Sequence, residues 1–222
     1  MSRLQHQNAV GIAVAIAILV ISLGAHEAAH GWMALKCGDT TARDLGRITL
    51  NPIAHIDPFM TIILPTVLAL TTGFIFGGAR PVPVAFHNLR RPFRDMALVA
   101  LAGPAANVLA AALLLLVLRV LVGVAGVWEP GRMGPDILTV SIGFNLLLAA
   151  FNMIPIPPLD GSRVMAWLLP PQVRMPYVRL ESLGMLLVFG LLYLGFLRGP
   201  IVGTMELMFD AVWFVVSAGG AW

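Results

Sequence analysis

Residues 9–35 read AVGIAVAIAILVISLGAHEAAHGWMAL. The first seventeen carry no charge, and about 20 apolar residues in helix are enough to cross a bilayer. The stretch therefore predicts a membrane span from Ala9 to about Leu35. It does not read as a cleavable signal peptide. The helix runs on into charged chemistry without a convincing cleavage site.

The rest of the chain agrees. Of 222 residues, 59% are apolar and only 11% charged, against about 25% charged in ordinary soluble domains. Mean hydropathy is +0.89. Charge this sparse cannot cover a water-facing surface of this size, which excludes a disordered chain and argues against a soluble domain. A formal charge of +3 is too weak a basic excess for nucleic acid. Cys37 is the single cysteine, so there is neither an intrachain disulfide nor a cysteine-based zinc site.

Further apolar segments are expected at about Phe59–Phe76, Met96–Val122, Ile137–Met153, Leu183–Leu197 and Ile201–Ser217. The last two are separated by Arg198, Gly199 and Pro200 and read as a tight helical hairpin. The polar stretches are Lys36–Pro58 and Gly77–Asp95, where 47–50 and 80–86 read as short edge or extended strands. The expected fold is an all-α polytopic membrane protein of about six hydrophobic segments, with short membrane-associated β-strands. It forms a single domain over 1–222.

Inside the first span stand His26, Glu27 and His30. Positions i and i+4 share one helix face. Both imidazoles can therefore bind one Zn²⁺, with Glu27 beside it to accept a proton from water. Ionisable groups at membrane depth cost several kcal/mol unless they find partners and a purpose. A catalytic zinc takes a third protein ligand and keeps one position open. Asp160 is a candidate, because Pro155, Pro157 and Pro158 break the helix just before it, and such backbone is tolerated at depth only inside protein or beside a water cavity. His55 and Asp57 form a rival pair in the loop, and His87 and His6 are weaker candidates.

These residues carry a resemblance. HEAAH at 26–30, GDTTARDLGRITLNPIAHIDP at 38–58, GGARPVPV at 77–84, AGPAAN at 102–107 and FNMIPIPPLDG at 151–161 together resemble the site-2 protease family of intramembrane zinc metalloproteases, over nearly the whole chain. The resemblance implies that His26, His30 and Asp160 bind zinc, that Glu27 is the general base, and that Asn152 helps hold the substrate carbonyl. Asn107 follows the family's Gly-Pro-x-x-Asn pattern. It is a candidate substrate contact, with a helix-packing amide as its alternative. The family's PDZ and CBS modules have no counterpart in these residues, and the HExxH helix is the first span.

The implied substrate is a membrane protein cut within or near a transmembrane segment. Such a segment must unwind to expose its peptide bond. Strand addition along 47–50 or 80–86, at Val82 and Val84, would hold it extended. A non-catalytic zinc-binding scaffold or chaperone is the alternative function. A metal transporter would string its ligands along several spans instead of clustering them.

His26 lies roughly 26 Å into its helix at 1.5 Å per residue, near the exit end, and Asp160 follows the exit of its own span. For the two to meet, an odd number of crossings must separate their spans. Phe59–Phe76 is therefore expected to be re-entrant. On this topology Lys36, Arg43, Arg47, Arg80, Arg90, Arg91, Arg94, Arg163, Arg174 and Arg179 share the metal side. Only Arg3, Arg119, Arg132 and Arg198 lie opposite. The bias places the site toward the cytoplasmic face of the cell membrane, with the C-terminus on that same side.

Overall fold

The structure, a computed structural model, describes residues 3–72, 77–123 and 133–217. It opens with α1, Arg3–Lys36, which at 1.5 Å per residue is about 50 Å long and overshoots a 30 Å hydrocarbon core. A short helix α2 (Thr41–Asp44) follows, then a 3₁₀ turn at Pro52–His55 and a π-helical turn at Pro58–Ile63 that runs into α3 (Leu64–Thr72). After an extended stretch come α4 (Pro92–Gly123), α5 (Met133–Asn152), α6 (Asp160–Leu168), α7 (Pro171–Arg179), α8 (Glu181–Tyr193) and α9 (Arg198–Ser217).

Three of these helices, α1, α4 and α9, are long and apolar enough to cross a membrane, or four spans if α7 and α8, bent by 70° at their junction, count as one. Large apolar side chains such as Ile21, Leu113, Leu186, Leu207 and Phe214 point outward. Exposed apolar surface on that scale marks a lipid-facing exterior. The chain is an integral membrane protein.

Two expectations are corrected. The first is the count of about six segments. α8 begins with Gly184 against Pro157. Val188 in its middle, Leu197 in the turn after it and Ile201 in α9 join one cluster with Ile154 and Leu159. At 13 residues α8 is too short to cross by itself, and the turn that follows it packs at the Asp160 end of the bundle. α9 makes the crossing. Ile201 starts beside Leu159, Val212 packs with Ala111, Leu115 and Ile142, and the Val216 carbonyl accepts a hydrogen bond from Arg119 near the far end of α4. The end of α9 therefore lies opposite the Asp160 end, not beside it. The connecting turn is Leu194–Leu197, while Arg198, Gly199 and Pro200 are already helical, because proline in a first turn sacrifices no intrahelical bond. Arg198 joins the basic residues of the Asp160 end. Arg132, expected opposite, lies outside the described residues.

The second correction concerns the strands. Among the described residues no β-strand forms. Residues 47–51 and 77–85 form no regular element, and Pro81 and Pro83 have no N–H to offer a ladder. The Arg80 N–H donates to His55 O at 2.8 Å, and the Arg47 guanidinium donates to the Arg80 carbonyl at 2.9 Å. These are isolated contacts.

The polar stretch after α1 folds back along it. Pro52 lies against Gly24, and Ile48 and Val82 against Gly31. The segment around α3 returns to its starting level. The Gly78 N–H donates to Met60 O at 3.0 Å, and Thr61 Oγ1 donates to Gly78 O at 2.6 Å. Residues 73–76 lie outside the described residues.

Candidate metal centre

Helix α1 presents His26 and His30 on one face, their rings edge-to-face with centroids 4.6 Å apart. Ligand atoms of His26, Glu27 and His30 all lie within 4.8 Å of one another. Asp160 reaches them from the first turn of α6. Its Oδ2 stands 3.1 Å from His26 Nε2 and 3.4 Å from His30 Nε2. The tight Pro-rich turn that delivers Asp160 depends on Gly161. A Cβ there would fall 2.2 Å from the Met153 carbonyl oxygen, so no other residue fits without opening the turn.

The hydrogen bonds fix which ring nitrogens carry protons. His30 Nδ1 faces the Val99 carbonyl at 2.7 Å. A carbonyl only accepts, so Nδ1 donates and Nε2 of the neutral ring is a lone pair. His26 Nδ1 faces Asn107 Oδ1 at 2.6 Å. Asn107 Nδ2 donates to Ser22 O at 3.2 Å and to Asn145 Oδ1 at 2.9 Å. Its amide nitrogen is thereby committed, and Oδ1 must accept from His26. Two imidazole lone pairs and a carboxylate oxygen then converge on one point. Asp160 Oδ2 is buried without a hydrogen-bond partner among the described residues. Three converging acceptors repel one another unless a cation joins them. Two nitrogens and one carboxylate oxygen are a catalytic zinc set with one position left open.

Gly103 on α4 keeps the space clear. A Cβ there would stand 2.5 Å from His30 Nε2 and 2.6 Å from His26 Cε1.

Glu27 also ties this centre to the segment at 80–86. Its Oε2 accepts the Val82 N–H at 2.7 Å. Oε1 is not used by that bond. Val82 is buried, so its N–H serves Glu27 and is not offered outward. Val84 lies two residues on, half-buried. Asp39 anchors this stretch, accepting from Thr41 N, Thr41 Oγ1 and Asn88 Nδ2 on one oxygen and from Ala85 N on the other. Burial alone would raise the Asp39 carboxyl, but these donors outweigh it and hold the group below its ordinary range.

Other expected residues are placed elsewhere. The His55 Nε2 faces Thr49 O at 2.9 Å, and Asp57 caps the π-helical turn by accepting from Phe59 N and Met60 N. Neither joins a metal-binding group among the described residues. His87 sits exposed in the 3₁₀ turn Phe86–Asn88. Asn152 ends α5, and one of its amide hydrogens donates to Leu148 O in its own helix at 3.0 Å. Asn107 is fully buried, and its oxygen and nitrogen are both bonded inside the bundle.

Sequence reasoning missed Ser22, Val99, Gly103 and Asn145. A signal for Asn145 was present, since an amide in the middle of an apolar span needs a partner. Nothing in the sequence gives the register that pairs it with Asn107.

Residues 14–134 match the family profile described as Peptidase family M50. YwhC of Bacillus subtilis is 40% identical over 168 residues, covering 75% of this chain and 74% of that protein. Rip2 of Mycolicibacterium smegmatis is 31% identical over 216 residues, covering 93% and 80%. Rip2 of Mycobacterium tuberculosis is 27% identical over 199 residues, covering 88% and 72%. All three carry provisional names as zinc metalloproteases. No solved structure matches the chain significantly.

Proposed function

The chain belongs to peptidase family M50, a family of membrane zinc metalloproteases, and we propose that it hydrolyses a peptide bond within or near a transmembrane segment of another membrane protein. His26, His30 and Asp160 hold the Zn²⁺ in this reading. The observation that carries it is the convergence of two imidazole lone pairs and the unpartnered Asp160 Oδ2.

When bound, zinc lowers the pKa of water to about 7 and polarises a carbonyl. Glu27 takes the proton released as water attacks and delivers it to the leaving amine. The Val82 N–H holds one oxygen of that carboxylate still, so the other faces a fixed direction. Val82 stands beside Glu27, and Val84, two residues on, is assigned to the substrate chain. Asn107 orients His26 in place of the substrate contact expected for it. One domain over 1–222 carries all of these parts. No observation favours the scaffold reading.

The topology assigned is a far-side N-terminus, crossings by α1, α4 and α9 with the shorter apolar stretch of α5, Ile137–Asn152, as a fourth, and a re-entrant segment at 58–77. Support for re-entry is the bonding of Gly78 back to Met60 and Thr61. The basic residues collected at the Asp160 end support assigning it to the cytoplasmic face of the cell membrane. Single cysteines introduced as Asp44→Cys, His87→Cys and Phe196→Cys in a Cys37→Ser background are expected to label from the cytoplasm alone. Outside labelling of Phe196→Cys would restore a full crossing by α8, and outside labelling of His87→Cys would make 58–77 a crossing.

Asn152 is assigned to the oxyanion. Its amide has a second N–H besides the one given to Leu148. Asn152→Ala is expected to cut turnover about 100-fold or more, the scale of one lost oxyanion donor, with zinc content unchanged. A helix-packing amide would instead lower the melting temperature and leave turnover near normal. Zinc, melting temperature and rate measured on one purified sample separate the two.

The experiment that tests the function is a comparison of membrane proteomes carrying the wild-type chain and Glu27→Gln. A membrane protein that is shortened only by the wild type supports the proposal. Identical proteomes in cells that express the substrate-bearing membranes argue for a scaffold.

A further inference from the structure

A chain of buried amides runs away from His26 across three helices. His26 Nδ1 bonds Asn107 Oδ1 on α4. Asn107 Nδ2 bonds Asn145 Oδ1 on α5, and Asn145 Nδ2 bonds Ser22 Oγ at 3.0 Å and Ser141 O at 2.9 Å. Ser22 lies one turn before His26 on α1, so the chain closes on the helix where it began. Asn107, Asn145 and Ser22 are 0%, 3% and 5% exposed.

The consequence lies in the symmetry of an amide. Asn107 can be turned by 180° with almost no change of shape, exchanging its oxygen and nitrogen. In the turned state it would present N–H to His26 Nδ1. Nδ1 would then have to accept, the ring proton would move to Nε2, and Nε2 would lose the lone pair that faces Asp160. What excludes that state is on the other side of Asn107. Turned, its oxygen would face Asn145 Oδ1 and the Ser22 carbonyl, which are both acceptors. Asn145 Oδ1 is itself fixed, because Asn145 Nδ2 is committed to Ser22 Oγ and the Ser141 carbonyl.

We infer that Asn145 and Ser22 are positioning residues for the metal centre: they hold Asn107 in one amide orientation, and that orientation sets the His26 tautomer whose Nε2 faces the metal. The inference rests on His26 being a ligand, which loss of zinc in His26→Ala tests separately. Groups one layer behind a zinc ligand are typically worth 10–100-fold in metal affinity, and a share of that range is expected here at residues two bonds from the ring.

The test uses the full chain in detergent and reads zinc affinity by chelator competition, with melting temperature alongside. Asn145→Leu keeps the volume and removes the acceptor. It is expected to weaken zinc binding about tenfold or more. The second variant is Asn107→Asp, whose two oxygens both accept, so that neither orientation can donate to His26. In that background Asn145→Leu is expected to have little effect on zinc affinity, although it still lowers the melting temperature. A merely structural role would cost the same in both backgrounds, and that result would overturn the inference. So would wild-type zinc affinity in Asn145→Leu alone. Should the leucine variants fail to fold, Asn145→Ser with and without Asn107→Asp is read by the same comparison.

Discussion

Asp160→Ala is expected to bring bound zinc far below one per chain and to abolish proteolysis with it. Among the described residues, Asp160 contributes the only carboxylate oxygen within 3.4 Å of both imidazole Nε2 atoms. Removing it leaves two neutral nitrogens on one helix, a poor site for a dication. Losing a ligand costs more than the 10–100-fold typical of groups behind one. His26→Ala and His30→Ala are expected to behave alike. Gly161 must be left intact in these variants, because a side chain there would strike the Met153 carbonyl and move Asp160 by another route. Full zinc occupancy in Asp160→Ala would remove Asp160 as a ligand and return attention to His55 and Asp57.

The second large effect belongs to Glu27. Glu27→Gln keeps an oxygen able to accept the Val82 N–H, so the segment at 80–86 keeps its anchor and the fold is preserved. What is lost is the capacity to take a proton. Turnover is expected to fall about 10²–10⁴-fold, while zinc stays at one per chain. A scaffold or chaperone would tolerate this substitution. Measuring zinc and cleavage on the same sample distinguishes the two functions, since only a hydrolase separates metal content from rate.

The grouping of His26, Glu27, His30 and Asp160 was legible in the sequence because its pattern is local. Spacing of four places His26 and His30 on one helix face, and three prolines in four positions ahead of Asp160 announce a broken helix where a carboxylate is tolerable. What surrounds the centre was not legible. Asn145 pairs with Asn107 through the register of α4 against α5, and register between apolar helices leaves no mark on either sequence alone. Leu183–Leu197 is apolar all round, so its hydropathy gives length and not direction. Only its packing against Pro157 and Ile154 shows that α8 stays at one end. The strands expected at 80–86 failed for a reason present in the sequence. Alternating prolines remove the donors a ladder needs, and the Val82 N–H left between them is taken by Glu27.

The topology argument shows the same division. Requiring His26 and Asp160 to meet predicts that an odd number of crossings separates their spans, and the bonding of Gly78 to Met60 and Thr61 supports re-entry between them. After Asp160 no second half of a site constrains the direction of the chain. That is where the expected topology needed correction.

The claim on which the rest depends is that two histidines and one aspartate hold the metal. X-ray absorption at the zinc edge of the purified full-length protein tests it directly. Nitrogen and oxygen neighbours only are expected, at about 2.0–2.2 Å, with the scattering pattern of two imidazoles. A sulfur neighbour at about 2.3 Å, which could come only from Cys37 or a methionine, or three imidazoles in the wild type, would contradict it.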